Sequence, residues 1–218
     1  MRTVHLINPN ASTATTAMML ARAREAAPAG LSLEGLTAEL GSPMITEPAA
    51  LAAAADAVVQ LMPRLTGDGV IVAAFGDPGA DRLASLLSVP VVGIGEAAIR
   101  AAGRGGRRFA IVTTTPKLDS SIRAHVDKLG FADGLASLRM TTEAPAALVA
   151  DHQRLEAALR ALVRQCVEQN GAEAIIIGGG PLADAARALA ASSAIEIIEP
   201  IAAAVAAMAQ ALNASHSL

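Results

Sequence analysis

The sequence predicts an α/β protein of two pseudo-symmetric halves, each a parallel-type sheet flanked by helices, with a cleft between them. Short β-rich runs alternate with longer Ala- and Leu-rich helical patterns along all 218 residues, as expected of strands joined by helical crossovers. The strand runs are largely continuous in apolar character, as in sheets covered on both faces. A segment of the first half also recurs in the second.

In chain order, strands are expected at TVHLIN (3–8), LSLEGLT (31–37), GVIVAA (69–74), VPVVGI (89–94), RFAIVTT (108–114), LASLRM (135–140), AEAIIIG (172–178) and IEIIE (195–199). Helices are expected between them, near 12–26, 48–65, 78–87, 95–103, 116–129, 144–169, 181–191 and 200–213. The Ala runs within these are intrinsically helical. FGDPGADRLASLL…GIGEAA (75–98) parallels GGGPLADAARALA…IIEPIA (178–202) at an offset of 103, matching Gly76 with Gly179, Pro78 with Pro181 and Glu96 with Glu199. AAGRGGRR (101–108) reads as the linker between the halves.

Composition bounds the partners. Hydrophobic residues make up 53% and aromatics 1%, with no Trp or Tyr, so the core is built of Ala, Val, Ile and Leu. A net charge of −3 without a basic block, and the lack of aromatics to stack on bases, argue against nucleic acid. The lone Cys166 forms no internal disulfide, which fits a reducing cytoplasm. It falls in step with Leu155, Leu159, Leu162 and Val163 on one helical face and reads as a packing residue.

The N-terminus lacks the apolar stretch of a signal peptide. The tail from Pro200 to Leu218 has no charged side chain (His216 taken as neutral), yet it is mostly Ala and includes Gln210, Asn213, Ser215 and Ser217. A packing helix is expected there rather than a membrane span. Homo-oligomerisation is left open.

Four strands run into proline-marked turns: INPN (7–10), FGDP (75–78), TTTP (113–116) and GGGP (178–181). Proline suits the first helical position, and Asp77 and Thr115, one residue before it, are expected to cap the helices that follow. Ligands of open α/β sheets bind beyond the carboxyl ends of the strands, where helix N-termini offer N–H donors to an anion. Two such rims face to face, with few cations, suit a small carboxylate, imide or enediolate.

The candidate ligand contacts are Asn8, Asn10, Phe75, Gly76, Thr113, Thr114, Thr115, Gly179 and Gly180, and the candidate bases are Asp77 and Glu96. Several have a structural reading beside the functional one. Asp77 is a cap, Asn8 and Asn10 bond to their own turn, and Glu96 and Glu199 stand near helix starts, where carboxylates help the dipole. His5, His125, His152 and His216 lack metal-ligand spacing, and no nucleotide-binding glycine motif follows a strand. No metal and no cofactor is expected.

INPNAS (7–12), GSPMI (41–45), AFGDPG (74–79), PVVGIGEAA (90–98), FAIVTTT (109–115) and GGGPLAD (178–184) resemble, in order and spacing, the Asp/Glu/hydantoin racemase family, and within it the hydantoin and allantoin racemase branch. The resemblance covers nearly the whole chain. It implies two α/β domains with the active site between them: 1–94 with a returning C-terminal helix (203–218), and 95–202. It also implies a cysteine just before FGDPG and another in the second Gly-rich turn, one removing a proton from the substrate carbon and the other returning it on the opposite face. Here those positions are Ala74 and Gly179, and neither moves a proton. Related one-cysteine decarboxylases keep a thiol at the second position, so that mechanism is missing too.

The expectation is a cofactor-free enzyme on a racemase-like scaffold with a cysteine-less site, acting on a small carboxylate or cyclic amide or ureide by hydrolysis or a lyase step. Backbone N–H groups at Gly76, Gly179 and Gly180 would polarise the substrate. The alternatives are a non-catalytic small-molecule binder and a racemase using other groups.

Overall fold

The structure, a computed structural model, describes residues 1–214; Ser215, His216 and Ser217 of the uncharged tail lie outside the described residues. The first half runs β1 (Arg2–Asn8), α1 (Thr13–Ala26), β2 (Leu31–Thr37), α2 (Pro48–Gln60), β3 (Gly69–Val72), α3 (Ala80–Leu86), β4 (Val91–Gly93) and α4 (Ile94–Ala102). The second runs β5 (Phe109–Thr113), α5 (Asp119–Lys128), β6 (Leu135–Met140), α6 (Pro145–Val149), α7 (His152–Asn170), β7 (Ala174–Ile177), α8 (Ala183–Ser192) and β8 (Glu196–Ile198), followed by α9 (Pro200–Ala214).

The strands form two four-stranded parallel sheets with the same order, β2-β1-β3-β4 and β6-β5-β7-β8. Every residue of β3, β5 and β7 is buried, which is why their sequences are apolar without alternation. The chain ends on the half where it began: Ile201, Ala204, Val205, Met208 and Leu212 of α9 share a core cluster with Val4, Leu6, Met19 and Ile71. No described helix is long and apolar enough to cross a membrane. Helix α4 stands between the halves. Its Ile94 and Ala97 pack into that first cluster, and its Ala98, Ile99 and Ala102 pack with Phe109, Ile111 and Ile176.

One expectation needs correction. The helix expected over 144–169 is two helices, because the Asp151 carboxylate accepts the backbone N–H of Arg154 and caps a new start. The repeat is real in architecture, with the same strand order in both sheets, and α3 from Ala80 and α8 from Ala183 start 103 residues apart (183 less 80). The central ladders begin at Val4 with Gly69 and at Phe109 with Ala174, 105 apart (109 less 4, 174 less 69), so strands and helices of the repeat are offset by slightly different amounts. The linker is pinned: the Arg107 guanidinium donates to the carbonyls of Ala101 and Ala102 and pairs with Glu196.

Candidate functional site

In each sheet the strand order reverses between its two central strands, β1 and β3 or β5 and β7. Beyond such a switch point the connections part and leave a crevice. The two crevices face each other and merge into one cleft. Asn10 reaches it from beyond β1, Ala73, Ala74 and Phe75 from β3, Thr113, Thr114 and Thr115 from β5, and Gly178, Gly179 and Gly180 from β7. Met44, Ile45, Leu118, Ile122, Val149 and Leu182 supply its apolar wall.

The glycines let the halves close. A Cβ on Gly178 would stand 3.3 Å from the Phe75 ring, and one on Gly180 would stand 2.9 Å from the Ala73 carbonyl oxygen and overlap the Met19 sulfur. Gly179 differs: a Cβ there would meet only Leu182, at 3.3 Å, but its φ of 140° disfavours any side chain.

The polar end is built from buried groups. Asn8, fully buried, donates its amide to Asn10 Oδ1 (2.8 Å), the Ser12 carbonyl (3.0 Å) and Thr16 Oγ1 (3.0 Å), and accepts the Asn10 N–H (3.1 Å). Asn10 Oδ1 also takes the Ser12 N–H. The Asn10 oxygen is thus spent within its turn, and its NH₂ remains as a donor at the cleft. Thr113 and Thr114 are both buried; Thr113 Oγ1 lies 3.4 Å from Thr115 Oγ1.

Asn10, Phe75, Thr113, Thr114, Thr115, Gly179 and Gly180 of the candidate contacts therefore come together, and so do Ala74 and Gly179. Asn8 and Gly76 are not in the lining: Asn8 buttresses Asn10, and Gly76 lies against Leu51. Asp77 and Glu96 also lie outside it. Asp77 caps α4 rather than the helix that follows it, accepting N–H groups from Gly95 (2.7 Å) and Glu96 (2.6 Å), with His125 Nε2 at 2.9 Å. The helix after Asp77 begins later, at Ala80 behind Gly79. The Glu96 carboxylate pairs with Arg100 on an exposed face. Thr115 makes no capping bond to the turn at Pro116–Leu118.

No lining residue carries an ionisable side chain. Cys166 is buried in the core of the second half, bonded by Ser137 Oγ at 3.4 Å, and burial pushes its thiol pKa up. One acid does stand close by. Glu199 shares with Gly179 an adjoining cavity that also holds Arg22, Glu25 and Arg187. Burial raises the Glu199 carboxyl above its ordinary range, opposed by Arg187 and Arg22.

The apolar wall was missed from sequence. Met44 and Ile45 belong to a motif noted above, and their signal was two exposed-looking apolar residues in a Gly/Ser/Pro loop. Val149 has no such signal.

The family described as Asp/Glu/Hydantoin racemase matches residues 4–208. The chain is 30% identical over 219 residues to a hydantoin racemase of Rhizobium meliloti, covering 96% of this chain and 88% of that one. It is 28% identical over 203 residues to a hydantoin racemase of Paenarthrobacter aurescens, covering 91% and 86%. An allantoin racemase of Klebsiella pneumoniae superposes with a TM-score of 0.92 at 29% identity, over 99% of this chain and 89% of that one. Sequence and fold agree along nearly the whole chain, which belongs to the Asp/Glu/hydantoin racemase family.

Proposed function

We propose that the cleft binds a small cyclic ureide or carboxylate of the hydantoin and allantoin class, and that this chain does not racemise it by thiol-based proton transfer. The observation that carries this reading is the lining itself: polar donors at one end, an apolar wall at the other, and no side chain that exchanges a proton near neutral pH. The Asn10 NH₂, the Thr113–Thr115 hydroxyls and the N–H groups of the glycine turn would hold the ring carbonyls or carboxylate. Phe75, Ile122 and Leu182 would take the ring substituent. Racemisation needs a proton carrier on each face of the carbon. Ala74 and Gly179, which the family resemblance aligns with the two thiols, supply none.

A panel of hydantoins, allantoin and small carboxylates, screened by thermal shift and then calorimetry, tests binding; at least one ureide is expected to saturate the site. Incubation of that ligand in deuterated water tests the chemistry, and no enzyme-dependent exchange at the stereocentre is expected. Exchange by the unaltered protein would sink the reading.

A second reading, hydrolysis or a lyase step, is favoured by one observation: Glu199, with its raised pKa, meets the cleft region at Gly179. Product formation from a bound ureide that disappears in Glu199→Gln, with binding kept, would establish it in place of the first.

A further inference from the structure

Asp77 is the only non-glycine residue at positive φ (48°) among the described residues, a conformation that costs free energy and persists only where the surroundings hold it. Three donors do so: the N–H groups of Gly95 and Glu96 at the start of α4, and Nε2 of His125 on α5. A carboxylate only accepts, so the proton sits on Nε2. Both side chains are nearly closed off from solvent, 5% exposed for Asp77 and 12% for His125. The seat is cut to shape. A Cβ on Gly93 would overlap the Asp77 carboxyl group, and one on Gly95 would stand 3.0 Å from Asp77 Oδ2.

The elements so joined come from opposite halves. Asp77 lies two and three residues beyond the cleft residues Phe75 and Ala74, and His125 lies one helical turn beyond the cleft residue Ile122. Two exposed ion pairs, Lys117 with Glu47 and Lys128 with Asp81, span the same join, but exposed pairs contribute little and are screened by salt. Arg22 with Asp184 and Glu25 with Arg187 join α1 to α8, and α4 and Phe75 pack across the halves; the Asp77–His125 bond adds a buried polar tie at the mouth of the α4 helix.

We propose that Asp77 and His125 are positioning residues, a polar bolt that sets the distance between the two walls of the cleft. The proposal concerns geometry; only its ligand-binding arm rests on the function proposed above.

Spin labels at Ser85→Cys on α3 and Glu168→Cys on α7, both exposed, report the separation of the halves by pulsed electron resonance, with Cys166 buried beyond the label's reach. In about 0.5 M salt, where the exposed pairs are screened, His125→Ala is expected to broaden and lengthen the distance distribution. His125→Gln, which keeps a donor, is expected to bring it back. Gly93→Ala, which evicts the carboxylate without touching His125, is expected to act like His125→Ala and guards against a folding defect in that variant. Affinity for the ureide found above is expected to fall about ten-fold or more in both loosened variants, the factor a charge-assisted hydrogen bond commands. An unchanged distribution in His125→Ala and Gly93→Ala overturns the bolt, and so does a His125→Gln distribution that stays broad. If the unaltered protein binds no ureide, the function proposed above fails, while the label distances still decide the bolt.

Discussion

The carboxyl group of Asp77 occupies the space where a Cβ of Gly93 would be. Gly93 has φ −88° and ψ 143°, which any residue adopts, so its lack of a side chain serves the seat and not the backbone. Gly93→Ala is therefore expected to cost roughly 1–3 kcal/mol through overpacking. In an Asp77→Gly background the same substitution should cost less than half of that. Urea unfolding of the four proteins of this cycle measures the coupling, and equal costs in both backgrounds would show that the two residues act independently.

Cys166 is fully buried and its thiol pKa is raised by burial, so it stays protonated and shielded at neutral pH. Native protein is expected to react with a thiol reagent only as fast as it opens, and denatured protein at once. Cys166→Ala should cost roughly 1–2 kcal/mol and leave ligand affinity unchanged. A fast native reaction would place the thiol at an accessible site.

The raised Glu199 pKa gives stability a pH dependence. The folded chain keeps a proton that the unfolded chain has released, so the contribution is complete below the unfolded value, about 4.3. It is lost as pH rises through the higher folded value. Glu199→Gln removes that slope. Relative to the natural chain, the variant is expected to gain in Tm from pH 4.5 to pH 8, read by scanning calorimetry at several pH values. A constant difference across that range counts against a strained carboxyl.

Ala74 and Gly179 line one cleft, yet they should not accept a thiol equally. Ala74 already carries a Cβ. Gly179 has a φ of 140° and Leu182 at 3.3 Å from the missing Cβ. Gly179→Cys is expected to cost roughly 1–3 kcal/mol, and Ala74→Cys well under 1 kcal/mol by the ordinary tolerance for small changes. Thermal unfolding of the two single variants decides this. Equal shifts would mean that the turn relaxes at no cost.

The strands were legible because nothing interrupts their apolar runs. Ile175, Ile176 and Ile177 are buried on both faces of a sheet, and composition alone reports that. The break before His152 was hidden, since Ala and Leu continue across it and only the Asp151 cap marks it. The polar end of the cleft could be read from strand ends, for Asn10, Thr114 and Gly179 each follow or close a central strand. What could not be read was pairing at long range. Asp77 meets Gly95 across 18 positions and His125 across 48, and local sequence offered it only its own helix to cap. The repeat was legible around Pro78 and Pro181, whose following helices start 103 apart, but not where the central ladders begin, 105 apart at Val4 and Phe109, because strand pairing leaves no mark on local sequence.

Helix α9 closes the core that contains β1, the first strand of the chain. A ribosome therefore delivers β1 to β4 long before the wall that covers Val4, Leu6 and Ile71, while every strand and helix of the second sheet has emerged by Ile198. The usual order, in which the N-terminal part folds first during synthesis, meets a first half whose core lacks α9 until the second sheet has been made. A nascent chain stalled before Pro200 lacks the α9 cover over Val4, Leu6 and Ile71, an open apolar face of the kind that chaperones hold.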